Sequence, residues 1–228
     1  MEDFSTEEHE VKILKIENVT HNVKRFTLTK PGSYSFTPGQ ATDIVIDQPR
    51  WKTERRPFTF TSLNEWDTLE FTIKIYDDHN GVTNELGKLV PGDKLIVHDV
   101  WGAIHYKGEG LFIAGGAGIT PFIAILRNLH HEHKIGNNKL IFSNRTVKDI
   151  ILKDEFQHIL GDNFINTITN EKTDEYDNEK LDQSYLKRKV SDFNQYFYIC
   201  GPDAMVEGIH KNLLELGVEE EKIVIEQF

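Results

Sequence analysis

The hydrophobic pattern changes character halfway along the chain. Up to about residue 107 the apolar residues come in short runs rich in β-branched and aromatic side chains: Val11 to Ile16, Arg25 to Leu28, Ala41 to Ile46, Phe58 to Thr61, Leu69 to Ile75 and Lys94 to Val97. Turn formers such as Pro31-Gly32, Pro38-Gly39 and Pro91-Gly92-Asp93 separate them, which reads as strands joined by tight connections. Six short strands with little helix between them predict a closed antiparallel barrel. Beyond Gly108 the rhythm alternates. A buried run, Leu111 to Ala114, precedes Phe122, Ile125, Leu126 and Leu129 at helical spacing. Strands follow at Lys139 to Ser143, Phe164 to Ile168, Tyr196 to Cys200 and Ile223 to Ile225. Helices are expected over Ile150 to Leu160 and Leu181 to Val190, and on the face carrying Met205, Ile209, Leu213 and Leu216. Strand–helix alternation predicts a Rossmann-like parallel α/β sheet covered on both faces. Two domains are expected, a β-barrel over 1–107 and an α/β domain over 108–228, with 170–183 as a solvated acidic loop.

Composition narrows the chemistry. A single cysteine, Cys200, excludes an internal disulfide and a four-cysteine iron–sulfur cluster within this chain. Redox chemistry would then need an organic cofactor. The net charge of −11 argues against a nucleic-acid partner. No apolar run approaches membrane-spanning length, and the polar, acidic start is unlike a signal peptide, so a cytoplasmic location is expected. His130, His131 and His133 with Glu132 fall at a helix end, where histidines suit the dipole, and no metal site is read there.

Gly115-Gly116-Ala117-Gly118-Ile119-Thr120-Pro121 lies between a buried strand and a helix. Its glycines let backbone N–H groups approach a pyrophosphate, with Thr120 expected to cap the helix and Pro121 to open it. Cys200-Gly201-Pro202 is a second turn at the same sheet edge, where open α/β sheets bind ligands. In the barrel half, Arg56-Pro57-Phe58-Thr59 combines a phosphate-pairing arginine, a ring able to stack and a hydroxyl. Asn80-Gly81-Val82-Thr83 reads as a helix start offering N–H groups to phosphate.

In this order the segments resemble the ferredoxin–NADP reductase superfamily over nearly the whole chain. The resemblance implies FAD in the barrel and NADPH or NADH as co-substrate. Arg56 would neutralise the FAD pyrophosphate, Phe58 (usually tyrosine) would stack on the flavin, and Thr59 would reach flavin N5, with Pro57 between them. Thr72, Ile73 and Lys74 would line the pyrimidine side, and Gly81, Val82 and Thr83 would hold phosphate. Gly115, Gly116, Gly118, Thr120, Pro121, Gly201 and Pro202 would bind the coenzyme. Catalytic roles would fall to Thr59, Cys200, Glu226 and Phe228, the last covering the flavin where nicotinamide docks. Arg145 and Lys153 could pair with a 2′-phosphate while Asp149 and Asp154 oppose it, and the balance is read slightly toward NADPH. The acceptor is expected to be a separate ferredoxin, flavodoxin or oxygenase component, steered by Arg50, Lys52, Arg55 and Arg56. An FAD-binding shuttle or regulatory subunit without its own coenzyme turnover, and a free-flavin reductase, are the competing readings.

Overall fold

The computed structural model describes residues 7–102 and 104–226, and the chain divides into two compact units that part after position 103. The first unit is antiparallel: β1 (His9–Asn18), β2 (Val23–Thr29), β3 (Gln40–Ile46), β4 (Arg56–Thr59), β5 (Thr68–Lys74) and β6 (Lys94–Gly102) lie in the order β4-β3-β6-β1-β2-β5. The outer strands meet just beyond β4, where Thr61 N–H donates to Glu70 O at 2.8 Å and Glu70 N–H donates to the Ser62 hydroxyl at 3.0 Å. The expected barrel is therefore a curled sheet drawn together at one short seam, without a ladder all the way round. Pro57 lies on β4, at the sheet's edge, where a missing N–H does least harm. Phe26, Leu28, Ile44, Phe60 and Phe71 fill the interior, and Phe36 stacks on Phe60 at 4.0 Å between centroids. A short helix, α1 (Val82–Leu86), presses Val82 and Leu86 onto this core.

The second unit is a parallel sheet of β7 (Gly110–Gly115), β8 (Lys139–Asn144), β9 (Phe164–Ile168), β10 (Tyr196–Cys200) and β11 (Ile223–Ile225), in the order β11-β10-β7-β8-β9. On one face Leu111, Ile113, Phe197 and Ile199 pack against Tyr185 and Leu186 of α4 (Gln183–Lys189) and against Ile209 and Leu213 of α5 (Asp203–Glu215). On the other, Phe112 stacks on Tyr198 at 4.4 Å and meets Phe122 of α2 (Thr120–His131) edge-on. The chain runs outward through β7, β8 and β9, then crosses back to β10. The carboxyl ends of β7 and β10 thus form the switch point where such sheets bind ligands.

One local expectation is corrected. The helix expected from Ile150 begins only at Lys153 (α3, Lys153–Leu160), because Leu152 takes a left-handed φ of 53° that no α-helix can pass through. Before it, a 3₁₀ turn at Val147–Asp149 is closed by a capping box between Thr146 and Asp149. The acidic segment after β9 is exposed but fastened, with Ile168 N–H on Asp177 O, Thr169 N–H on Asn144 O and Asn170 N–H on Arg145 O.

Candidate cofactor and coenzyme sites

In the barrel unit Arg56 opens β4 with its guanidinium half exposed, donating to Arg55 O at 2.7 Å and to Glu54 Oε2 at 3.1 Å. An exposed ion pair of this kind is worth at most about 1 kcal/mol, so a phosphate able to take the guanidinium bidentately displaces it readily. Arg56 stands between two adjoining hollows. Arg50, Trp51 and Asn80 line one, Tyr76 and His79 the other, and Gly81 and Val82 border both. Gly81 N–H is already spent on His79 O at 2.9 Å. The donors left for an anion are the first-turn N–H groups of Val82 and Thr83, which have no intrahelical acceptor. A guanidinium beside these N–H groups is a donor set that fits the pyrophosphate of FAD.

The remaining barrel residues divide by burial. Phe58 is half-buried against the core. Pro57 is exposed and Thr59 buried. The Thr72 hydroxyl lies 3.3 Å from that of Thr61, which donates to Glu70 at 2.9 Å. Ile73 is core, so only its backbone is available to a ligand. Lys74 lies over the Tyr76 ring. Glu70 directs its backbone groups to the seam, so the alternation of an antiparallel strand turns those of Thr72 and Lys74 to the same edge, away from β2. The basic run is largely compensated: Lys52 pairs with Asp47 at 2.9 Å, Arg55 with Glu8 at 3.5 Å and Arg56 with Glu54, while Arg50 lies over Trp51.

In the α/β unit the two glycine turns pack on each other. A Cβ on Gly118 would strike the Cys200–Gly201 backbone, one on Gly115 would strike Met205 and Pro202, and one on Gly201 would strike Met205 and Gly115. Of the glycines in these two turns, only Gly116 combines a left-handed φ, 52°, with open space where a Cβ would stand. This is the backbone approach a dinucleotide needs. Thr120 does not cap α2. A 3₁₀ turn, Gly116–Ile119, runs directly into the helix, leaving Ile119 helical at the N-cap, and the Thr120 hydroxyl donates back to Ala117 O at 3.1 Å. Pro121 sits in the first helical turn.

Cys200 ends β10, and its thiol donates to Glu226 Oε2 at 3.0 Å. Burial, then the Glu226 carboxylate, push the thiol far above its usual range, so it is a neutral donor and no nucleophile. Burial likewise raises the Glu226 carboxyl, against a smaller lowering by the Cys200 bond. Gly201, Val206, Glu207 and Ile225 line a hollow beside the pair. Arg145 is exposed after β8, and Phe228 lies outside the described residues. Sequence reasoning missed Tyr76 and His79 at the arginine hollow, since an aromatic after a strand looks like any edge residue. It also named Cys200 and Glu226 without joining them, although parallel pairing of Ile199 with Ile225 sets them side by side.

Comparison with known proteins matches both units of the chain. Residues 10–106 match the model of the oxidoreductase FAD-binding domain, and residues 112–211 that of the oxidoreductase NAD-binding domain. The carnitine monooxygenase reductase subunit of Escherichia coli K12 is 24% identical over 96% of this chain and 68% of its own length. One subunit of the Na(+)-translocating NADH-quinone reductase of Klebsiella pneumoniae is 28% identical over 68% of this chain, which spans only 42% of that relative. Among solved structures, the FAD/NAD-binding domain of Vibrio cholerae nitric oxide dioxygenase superposes with a TM-score of 0.85 at 20% identity, covering 96% of this chain and 98% of the other. A Neisseria gonorrhoeae ferredoxin NADP+ reductase with bound FAD and NADP gives 0.81 at 22%, covering 95% and 97%. Among the described residues no helix is long and apolar enough to cross a membrane. With both domain models matched in tandem and the same fold throughout, the chain belongs to the ferredoxin reductase-like family of FAD- and NAD-binding oxidoreductases.

Proposed function

We propose that the chain is the reductase of an electron-transfer pair, taking hydride from a nicotinamide coenzyme onto FAD and passing electrons to a separate protein carrier. The observation that carries this reading is the switch-point edge of the α/β unit. There Gly116 leaves space for a dinucleotide backbone beside a buried, neutral Cys200 thiol held by Glu226. Bound FAD supplies the hydride-accepting chemistry and the change from two-electron to one-electron transfer.

The chain's own contribution is binding and positioning. Arg56 with the N–H groups of Val82 and Thr83 holds the FAD pyrophosphate. Phe58 stacks on the flavin and Thr59 hydrogen-bonds near its N5. The backbone groups of Thr72 and Lys74 at the open edge of β5 hydrogen-bond the polar rim of the ring. In the α/β unit the turns at Gly115–Pro121 and Cys200–Pro202 hold the coenzyme, Cys200 Sγ keeps its proton beside the nicotinamide, and Glu226 fixes the thiol's direction. Phe228 keeps its role as a ring cover from the family resemblance alone.

For the acceptor, the carnitine monooxygenase reductase subunit supports an oxygenase component, and the ferredoxin NADP+ reductase supports a ferredoxin. Because Lys52, Arg55 and Arg56 each carry a carboxylate partner, steering toward an acidic carrier rests on Arg50 more than on the whole run. The deciding experiment is anaerobic mixing of the FAD-loaded protein with NADH and, separately, with NADPH. Rapid bleaching of the flavin absorbance with either coenzyme is the expected result. A flavin that neither bleaches would leave a shuttle in place of an enzyme. Reoxidation by candidate ferredoxins, flavodoxins and oxygenase components then ranks the acceptors.

A further inference from the structure

A parallel sheet of this order places the ribose end of a bound dinucleotide beyond the carboxyl end of its second strand, here at Ser143-Asn144-Arg145. A 2′-phosphate there would need N–H donors and cations. The turn after β8 has them, but the chain's own carboxylates already hold several. Asp149 accepts from Thr146 N–H at 2.9 Å and from its hydroxyl at 2.6 Å. Glu171, from the acidic segment, accepts from Val147 N–H at 2.9 Å. Glu175 holds Lys153 Nζ at 2.9 Å while the Tyr176 ring lies under the same ammonium at 5.1 Å. Tyr176 OH donates in turn to Glu175 at 2.6 Å. The segment is fixed in place by the bonds of Thr169 and Asn170 to Asn144 and Arg145 and by that of Ile168 to Asp177. Arg145 and the exposed Lys148 remain, with no side-chain partner among the described residues.

We infer that the segment from Thr169 to Asp182 determines coenzyme choice: Glu171 and Glu175, with Asp149, reject the 2′-phosphate of NADPH and make NADH the donor. The inference rests on the reductase reading above and reverses the slight lean to NADPH that Arg145 and Lys153 gave in the sequence. A 2′-phosphate would have to displace Asp149 and Glu171 from the N–H groups they hold and Glu175 from Lys153, bringing a dianion against three carboxylates, whereas the neutral 2′-hydroxyl of NADH requires no such displacement. Like-charge juxtaposition at a binding site is enough for discrimination of roughly tenfold or more.

The test uses the full FAD-loaded chain with two readouts, calorimetric affinities for NAD+ and NADP+ and anaerobic flavin bleaching by NADH and NADPH. The wild type is expected to favour the non-phosphorylated coenzyme about tenfold or more in both. Glu171→Gln and Glu175→Gln, which keep side-chain size, are each expected to narrow the ratio several-fold, almost wholly by improving the phosphorylated coenzyme. A thermal melt confirms that each variant is folded. Equal or better handling of NADPH by the wild type, or ratios unmoved in both folded variants, would overturn the inference while leaving the reductase intact. Failure of both coenzymes to bind and to bleach the flavin would sink the reductase reading itself.

Discussion

The chain has two glycine-led turns that look alike in sequence, Gly115 to Gly118 before α2 and Gly81 before α1, and their glycines are constrained for different reasons. In the α/β unit Gly115 and Gly118 are confined by neighbouring structure: Met205 and Pro202 on one, the backbone of Cys200 and Gly201 on the other. Gly116 is confined only by its own φ of 52°. In the barrel unit Gly81 has an ordinary extended φ of −99°, and a Cβ there would meet the imidazole of His79 alone. So a glycine in a ligand-binding turn can serve packing, backbone conformation or open access. Only the last of these is a statement about the ligand.

The sharpest way to break this comparison is Gly118→Ala. The added methyl must displace the main chain of the neighbouring turn, and backbone yields far less than a side-chain tip. The expected loss is about 3 kcal/mol, the upper end for overpacking in a close-packed interior. Denaturant unfolding of the FAD-loaded protein should show this loss as an early transition of the α/β unit. A variant within about 0.5 kcal/mol of wild type, the ordinary range for a substitution that disturbs nothing, would mean that the two turns are not seated on each other.

Much of the fold was legible because its elements are short and strongly patterned: β7 is apolar throughout, and the apolar residues of α2 recur at helical spacing. The errors were those of local geometry that pattern does not encode. Thr120-Pro121 has the composition of a cap, yet the 3₁₀ turn before it is already helical at Ile119, leaving no extended residue for a hydroxyl to cap. Leu152 interrupts an apolar periodicity that otherwise reads unbroken from Ile150. The segment after β9 is exposed as its acidic, polar sequence suggests, but that Glu171 and Glu175 reach back to Val147 and Lys153 was not legible. Which donors a charge satisfies depends on tertiary pairing, and no spacing rule reveals it. The glycine turns were visible as motifs, while the division of labour among their glycines was not.

Gly116→Ala should cost less than Gly118→Ala, because nothing stands within reach of the new methyl and only the left-handed backbone is penalised, by about 1–2 kcal/mol. Its larger consequence should be on the coenzyme, since the methyl fills the open approach. Calorimetry is expected to record weaker NAD+ binding in a variant that melts only a few degrees early. Unchanged affinity would mean that the open space at Gly116 is not where the dinucleotide lies.

Glu226→Gln sharpens the account of the same edge through pH. Burial raises the Glu226 carboxyl above its unfolded value, so its contribution to stability is fully present below the unfolded pKa and is lost as pH rises through the folded one. The amide variant carries no charge at any pH. Its melting temperature relative to wild type should therefore rise with pH above the normal carboxylate range and converge on wild type in acid. A difference that is flat with pH would mean Glu226 titrates as a solvated residue.

The smallest stability effect is expected from Gly81→Ala, and it completes the contrast. The residue is extended, its carbonyl accepts from Glu85 N–H at 3.1 Å, and the only neighbour of a new methyl is the exposed, rotatable ring of His79. Alanine is a poorer N-cap than glycine, but it also lowers the entropy of the unfolded chain, and the two terms oppose each other within about 1 kcal/mol. Stability should stay within about 0.5 kcal/mol of wild type. FAD should nevertheless leave faster, by several-fold in a dilution or dialysis assay, because the displaced imidazole and the methyl both crowd the hollow beside Arg56. A barrel that unfolds instead would make Gly81 a packing glycine like Gly118 and erase the distinction between the two turns. A stable variant that keeps its FAD as firmly as wild type would move the pyrophosphate away from Gly81 and leave Arg56 to hold it elsewhere.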